Sequence, residues 1–186
     1  MSGHGLRLIS RRPAAAATTE NRAVAFAWLV HKAQATWANN ADVKASILLA
    51  LDAGAVYAAV SALSDGGFLA RPGGRETSVA VAVGVSALLL AIGAAAIAIF
   101  PRLGNRRAAV SRRSHVIYFG DLRRWQAAEL SAHLAGLTED DELDMLSRQL
   151  TEMARQNWAK HRWVQLSLVL SLAGILMIAV PALIAA

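Results

Sequence analysis

Three long apolar stretches constrain the fold of this 186-residue chain more than any other feature. The last, Val164–Ala186, and the second, Ser78–Phe100, contain no charged residue, and Ser46–Leu63 is interrupted only by Asp52. A helix that rises about 1.5 Å per residue needs about 20 apolar residues to cross the roughly 30 Å hydrocarbon core of a bilayer. The sequence therefore predicts an all-α integral membrane protein with spans at about 46–63, 79–100 and 164–185.

A helix is predicted before the first span. Thr18 or Thr19 is expected to cap a helix over residues 20–39, and Asn39–Asn40 is expected to end or kink it. Residues 1–19 are too charged for a secretory signal and are expected to form a disordered tail. Residues 20–186 then form one membrane domain.

Two more helices are predicted between the second and third spans. Asp121 is expected to cap a helix over 121–136 that Gly136 ends. Thr138 and Asp141 form a capping-box-like start for a helix over 139–163, which continues into the third span. Together with the helix over 20–39, these segments predict a cytosolic helical bundle.

The distribution of arginine predicts the orientation in the membrane. Five arginines and no acid follow Phe100 in the segment 101–113, and the first 32 residues are also basic. The positive-inside rule places both segments in the cytoplasm, so the N-terminus is cytoplasmic and the C-terminus lies outside. The glycine-rich turn 64–77, whose charges cancel, lies on the non-cytoplasmic side. This rule also accounts for the net charge of +6, and the alternative is that the basic residues attract lipid headgroups or a nucleotide phosphate.

The sequence lacks the residue patterns of common catalytic and metal sites. The absence of cysteine excludes disulfides, thiolate metal sites and a cysteine nucleophile. The histidines do not show the spacing of metal ligands, and no nucleophile-elbow, Walker or dinucleotide-binding motif is present. Neither an enzyme nor a metal or cofactor site is expected.

Asp52 is the most unusual single residue because it lies within a predicted span. A charge there costs at least a few kcal/mol, so the residue is a candidate for gating, a pore or a proton path. Two alternatives stay open: Asp52 holds the helices together through a serine partner, or the span begins lower and Asp52 lies near an interface. The possible partners are Ser46, Ser61, Ser86 and Ser171.

The basic segment after the second span contains the candidate ligand-binding residues. Bidentate arginine contacts can hold a phosphate, and the helix predicted at Asp121 offers amide groups nearby. The alternative is that the arginines determine topology alone. The four candidates are Arg112, Arg113, Arg123 and Arg124.

Four short motifs resemble the transmembrane effector family of Pycsar antiphage systems. They are N-A-D-V-K-A-S at 40–46, P-R at 101–102, I-Y-F-G-D at 117–121 and W-A-K-H-R at 158–162. The family has a D-x-K-A element at the first span and an aromatic F-G-D-like segment after the second. The matching residues here are Asp42, Lys44, Tyr118, Phe119, Gly120 and Asp121.

The resemblance implies a function. A partner pyrimidine cyclase would make cyclic UMP or cyclic CMP on phage infection, and the effector would impair the cell inner membrane, causing abortive infection. The chain has no recognisable cyclic-nucleotide-binding fold, which leaves direct binding open. The expected partners are membrane lipid, the cyclic nucleotide and further copies of the chain, since three spans enclose no wide pore; nucleic acid is not expected. The alternative is a structural or scaffolding membrane protein with no nucleotide signal.

Overall fold

The computed structural model describes residues 14–64, 75–100 and 116–185. Over these residues the chain forms helices and no strand, which confirms the all-α prediction. Three of the helices, α1, α2 and α5, are long and apolar enough to cross a membrane. The helices are α1 (Ala14–Leu63), α2 (Arg75–Ile99), α3 (Phe119–Leu122), α4 (Ala127–Ala135) and α5 (Glu139–Ala185).

Helix α1 is longer than the sequence predicts. It begins at Ala14, so Thr18 and Thr19 lie inside it rather than at its cap, because the run Ala14–Ala17 consists of the strongest helix former. It also continues through Asn39–Asn40. Asparagine costs less than about 1 kcal/mol in a helix, and the neighbouring alanines at 41 and 45 are buried. Residues 1–13 of the predicted tail lie outside the described residues.

In place of one helix over 121–136, the structure has α3 and α4 separated by a turn. Trp125 lies in this turn and its ring packs at a tilt on His133 of α4, with 5.0 Å between centroids. Gln126 is extended and leads into α4. Gly136 ends α4 as predicted, because its N–H reaches the carbonyls at the end of the helix.

Helix α5 begins with the predicted capping box. The Thr138 N–H and hydroxyl donate to the Asp141 carboxylate, and the Asp141 N–H donates to the Thr138 hydroxyl oxygen. Hydrogen bonds from the Thr138 hydroxyl and then from its backbone N–H lower the pKa of Asp141 below its usual value. The helix continues without a break to Ala185, which confirms that 139–163 runs into the third span.

The described residues divide into two compact units, and α1 and α5 contribute to both. Unit 1 comprises 14–33 and 116–151. Ala27, Met145 and Leu146 are buried in it, and the Trp28 indole N–H donates to Glu142 Oε1 at 2.7 Å. Unit 2 comprises 34–64, 75–100 and 152–185, and it contains all the residues of the predicted spans that the structure describes.

Apart from the adjacent Ala94 and Ala95, the buried residues of α1, α2 and α5 in unit 2 recur at spacings of three and four residues or their sums. This pattern is the heptad seam of a coiled coil, and most of its members are small enough for close helix approach. The buried residues are Gln34, Ala41, Ala45, Asp52, Ala59 and Ala62 of α1; Val81, Gly84, Leu88, Ala91, Ala94, Ala95 and Ala98 of α2; and Asn157, Ser167, Ser171 and Gly174 of α5.

The contacts within unit 2 define the directions of its three helices. α1 and α5 run parallel, because hydrogen bonds join residues whose numbers increase together along both helices. The pairs are Gln34 with Asn157, Asp42 with Lys160, and Asp52 with Ser171.

Helix α2 runs antiparallel to α5. Near its end, Ala95 and Ala98 belong to a cluster that includes Val164 of α5. Nearer its start, Gly84 lies against Gly174, which is ten residues further along α5. The alternation of directions is the one that three successive membrane crossings require.

Candidate functional site

A row of polar side chains lies between α1 and α5 in unit 2, and we call it the polar seam. Apart from the Asp42–Lys160 pair, its members are at most 9% exposed, although they lie on helices apolar enough to span a membrane. Buried polar groups are costly unless they are paired, so their partners decide what the seam does. The seam comprises Gln34, Asp42 and Asp52 of α1 and Asn157, Lys160, Ser167 and Ser171 of α5.

The first part of the seam is held by an amide and an ion pair. The Asn157 side-chain N–H donates to the main-chain carbonyl of Gln34 at 2.9 Å. Lys160 Nζ donates to both carboxylate oxygens of Asp42, at 2.6 and 2.8 Å. The ion pair links the two resemblance motifs at 40–46 and 158–162, while Lys44 of the first motif is exposed.

The pairing of Asp42 with Lys160 was not predicted from the sequence. The sequence does contain a signal that both residues face inward, because Asp42 and Lys160 each continue the spacing of three and four residues that the buried positions of their own helices follow. Only the parallel arrangement of α1 and α5 brings the two positions together, and the sequence does not reveal that arrangement.

Asp52 lies deeper in the seam and is 1% exposed. Its Oδ2 lies 2.9 Å from the Ser171 hydroxyl, which also lies 2.8 Å from the Ser167 carbonyl. Of the four serines considered from the sequence, Ser171 is therefore the partner. Ser46 and Ser86 instead donate to carbonyls of their own helices, and Ser61 is exposed.

Two polar atoms near this contact have no hydrogen-bond partner among the described residues: Asp52 Oδ1 and Ser167 Oγ. Sequence reasoning missed Ser167, which lies one turn before Ser171 and is fully buried. No described cation forms an ion pair with Asp52. The buried side chains of α2 are all hydrocarbon, so among the described residues α2 adds no polar partner.

Two glycines bring α2 and α5 into backbone contact. A Cβ atom on Gly84 would lie 2.8 Å from the Gly174 carbonyl oxygen, and one on Gly174 would lie 2.8 Å from that of Gly84. The two helices therefore approach closely at this pair of glycines. Gly54 and Gly93 have no such neighbour within 4 Å.

The predicted phosphate-binding arginines are only partly described. Arg112 and Arg113 lie outside the described residues, whereas Arg123 and Arg124 are exposed on the turn after α3. The expected helix start at Asp121 is wrong. α3 has four residues, and the Asp121 and Leu122 amides donate to the Tyr118 carbonyl, so these amides are not free to bind a phosphate.

The Y-F-G-D motif forms a tight turn. Asp121 and Leu122 close it onto Tyr118, and the Tyr118 ring packs against Gly120 so closely that a Cβ atom there would collide with it. Glycine is therefore the residue that fits this position without moving the ring. The placement of the Phe119 side chain lies outside the description.

These features define a class of protein: an all-helical membrane protein whose three span-capable helices pack through small residues, with a polar seam between the first and the last of them. The described residues contain no group of histidine, aspartate and glutamate arranged to hold a metal ion.

The chain belongs to the Pycsar effector family. The family model PycTM, the Pycsar effector protein domain, matches residues 26–186, which include all three span-capable helices and the entire polar seam. Comparisons with curated proteins and with solved structures find no match. Membership indicates an effector in antiphage defence.

Proposed function

We propose that the chain impairs the cell inner membrane in response to a cyclic pyrimidine nucleotide, cyclic UMP or cyclic CMP, made by a partner cyclase. The membrane damage would halt the infected cell before phage mature, which is abortive infection. The observation that carries the proposal is the family match over residues 26–186, because it covers both units and not a membrane anchor alone.

The structure of unit 2 supports a role inside the membrane. A simple anchor needs apolar helices, whereas this bundle buries an aspartate and two serines within the predicted spans 46–63 and 164–185. Such residues are costly in a membrane and typically mark a functional site. Three helices enclose no wide pore, so we propose that several copies of the chain assemble around the damaged region.

The proposed orientation is N-terminus in the cytoplasm. It is supported by the basic segments at 1–32 and 101–113. Unit 1 would then face the cytoplasm, where a nucleotide is made. Arg112, Arg113, Arg123 and Arg124 remain the proposed phosphate contacts, through side chains alone.

The experiment that tests the proposed function compares phage infection of cells carrying the chain and a pyrimidine cyclase with infection of cells carrying either alone. We expect fewer plaques, and collapse of the culture at high phage dose, only when both are present. The matched control is the same pair with an inactivated cyclase.

Protection that persists with the inactivated cyclase would contradict the proposed signal. No protection in any combination, with the chain present in the membrane, would favour the structural or scaffolding alternative.

A further inference from the structure

The hydrogen bonds around Ser171 contain a mismatch in the number of protons. The Ser171 hydroxyl oxygen lies 2.9 Å from Asp52 Oδ2 and 2.8 Å from the Ser167 carbonyl oxygen. Both neighbours are acceptors when Asp52 is ionised, and a serine hydroxyl has one proton to donate. One of the two short oxygen–oxygen contacts would then lack a hydrogen atom.

A proton on Asp52 removes the mismatch. Asp52 Oδ2 then donates to Ser171 Oγ, which donates to the Ser167 carbonyl, so each short contact contains one hydrogen atom. We propose that Asp52, Ser171 and Ser167 form a proton-binding site whose proton closes the contact between α1 and α5. The site is distinct from the nucleotide contacts, and its test needs no nucleotide.

The charges around the site favour a proton as the ligand. An ionised carboxylate that is 1% exposed would need a cation, and the described residues supply none within ion-pair distance. The buried residues of α2 are hydrocarbon. On α1 and α5 the nearest charged groups of the seam are Asp42 and Lys160, about 15 Å away along the helices and neutralised by each other.

The site also has a consequence for the bundle. Removal of the proton would leave a buried, unpaired carboxylate between two helices that otherwise meet through small residues. Separation of α1 from α5, or entry of water between them, would relieve that cost. The proton therefore acts as a ligand of the closed arrangement of the two helices.

Infrared spectroscopy of the full chain in membranes at neutral pH tests the proposal. We expect the carbonyl band of one protonated carboxylic acid per chain, because exposed acids are ionised at this pH. Aspartate labelled with carbon-13 at the carboxyl group should shift the band, which identifies it in the unaltered protein. The band should be absent from Asp52→Asn and should move to higher frequency in Ser171→Ala.

The matched control is Asp144→Asn, which removes an exposed aspartate and should leave the band unchanged. A labelled native chain without the band would overturn the proposal, as would a band that persists in Asp52→Asn or does not respond to Ser171→Ala. A chain without the band whose melting temperature rises with sodium but not with choline would instead assign a metal cation to the site. If Asp52→Asn fails to fold, the presence or absence of the shifted band in the labelled native chain still tests the proposal.

Discussion

Asp52 combines two properties that conflict in a membrane: its side chain is ionisable, and it is 1% exposed within a span-capable helix. In the structure, Asp52 lies in the packed interior of the bundle and bonds to Ser171 of α5, which is the serine partner that the helix-joining alternative requires. A residue that only joins helices does not need to ionise, whereas a residue that responds to activation by gating does. Substitutions that remove ionisation can therefore distinguish these two roles of Asp52.

Asp52→Leu is predicted to insert and fold but to fail in defence. Insertion should improve by about 3 kcal/mol on translocon-type scales, because leucine replaces a costly aspartate. If activation admits water and ionises Asp52, the leucine variant cannot follow, so cells should neither depolarise nor resist phage. The measurement is membrane potential together with plaque count while the partner cyclase is active.

Asp52→Asn is the matched variant, because it keeps hydrogen bonding but cannot ionise. A gating role predicts that it is as inactive as Asp52→Leu. Activity in Asp52→Asn with none in Asp52→Leu would reduce Asp52 to a helix-joining residue, and full activity in both would contradict any role in gating.

The arginine side chains yield a second prediction at this scale. If the nucleotide binds directly, Arg112→Glu/Arg123→Glu should lose binding of labelled cyclic UMP or cyclic CMP, because two phosphate contacts become repulsive. Arg155→Glu, a change at an exposed arginine outside the group, is the control and should bind as the native chain does. Equal affinity in the double variant would exclude this group as the site.

At the scale of helices, the apolar length of the spans was predictable and their packing was not. The runs at 46–63, 79–100 and 164–185 lie in α1, α2 and α5, apart from Phe100, which follows the end of α2. The inward faces consist mostly of alanine, glycine and serine at spacings of three and four, which is a weak signal in stretches rich in these residues throughout. For that reason Ser167 was not predicted from the sequence, although Ser171 was considered as a partner of Asp52.

Helix boundaries outside the spans were less predictable. The break between α3 and α4 depends on Trp125, whose ring packs on His133. No local sequence pattern predicts this contact. By contrast, the prediction of a capping box at Thr138 and Asp141 was correct, because its hydrogen bonds join residues that are three apart in the sequence.

Glycine substitutions test the packing of α2 against α5. Gly84→Ala places a Cβ atom 2.7 Å from the Ile178 side chain and 2.8 Å from the Gly174 carbonyl, so the helices must separate. We expect a loss of about 1–3 kcal/mol in the free energy of unfolding, the usual cost of overpacking.

Gly54→Ala is the matched control, because its Cβ atom meets nothing within 4 Å. It should be neutral or stabilise the helix by about 0.5–1 kcal/mol. Thermal unfolding of both variants in detergent compares them, and equal losses would contradict the proposed contact.

For the whole molecule, the relative directions of the three long helices are now clear, and the side of the membrane is the remaining prediction. Reporter fusions at Gly73 and Ala186 should report the periplasm, and a fusion at Asn105 the cytosol, since arginine concentrates before α1 and after α2. A periplasmic signal at Asn105 would reverse the orientation and place unit 1 away from any cytoplasmic nucleotide.

The central claim is that a cyclic pyrimidine nucleotide converts this bundle into a membrane-damaging state. Its most direct test is the membrane potential of uninfected cells in which the partner cyclase alone is induced, with the chain present or absent. The account predicts collapse of the potential within cells that carry both proteins, and a stable potential with the chain alone or with an inactivated cyclase. A potential that stays stable while cyclic UMP or cyclic CMP accumulates beside membrane-inserted chain would contradict it.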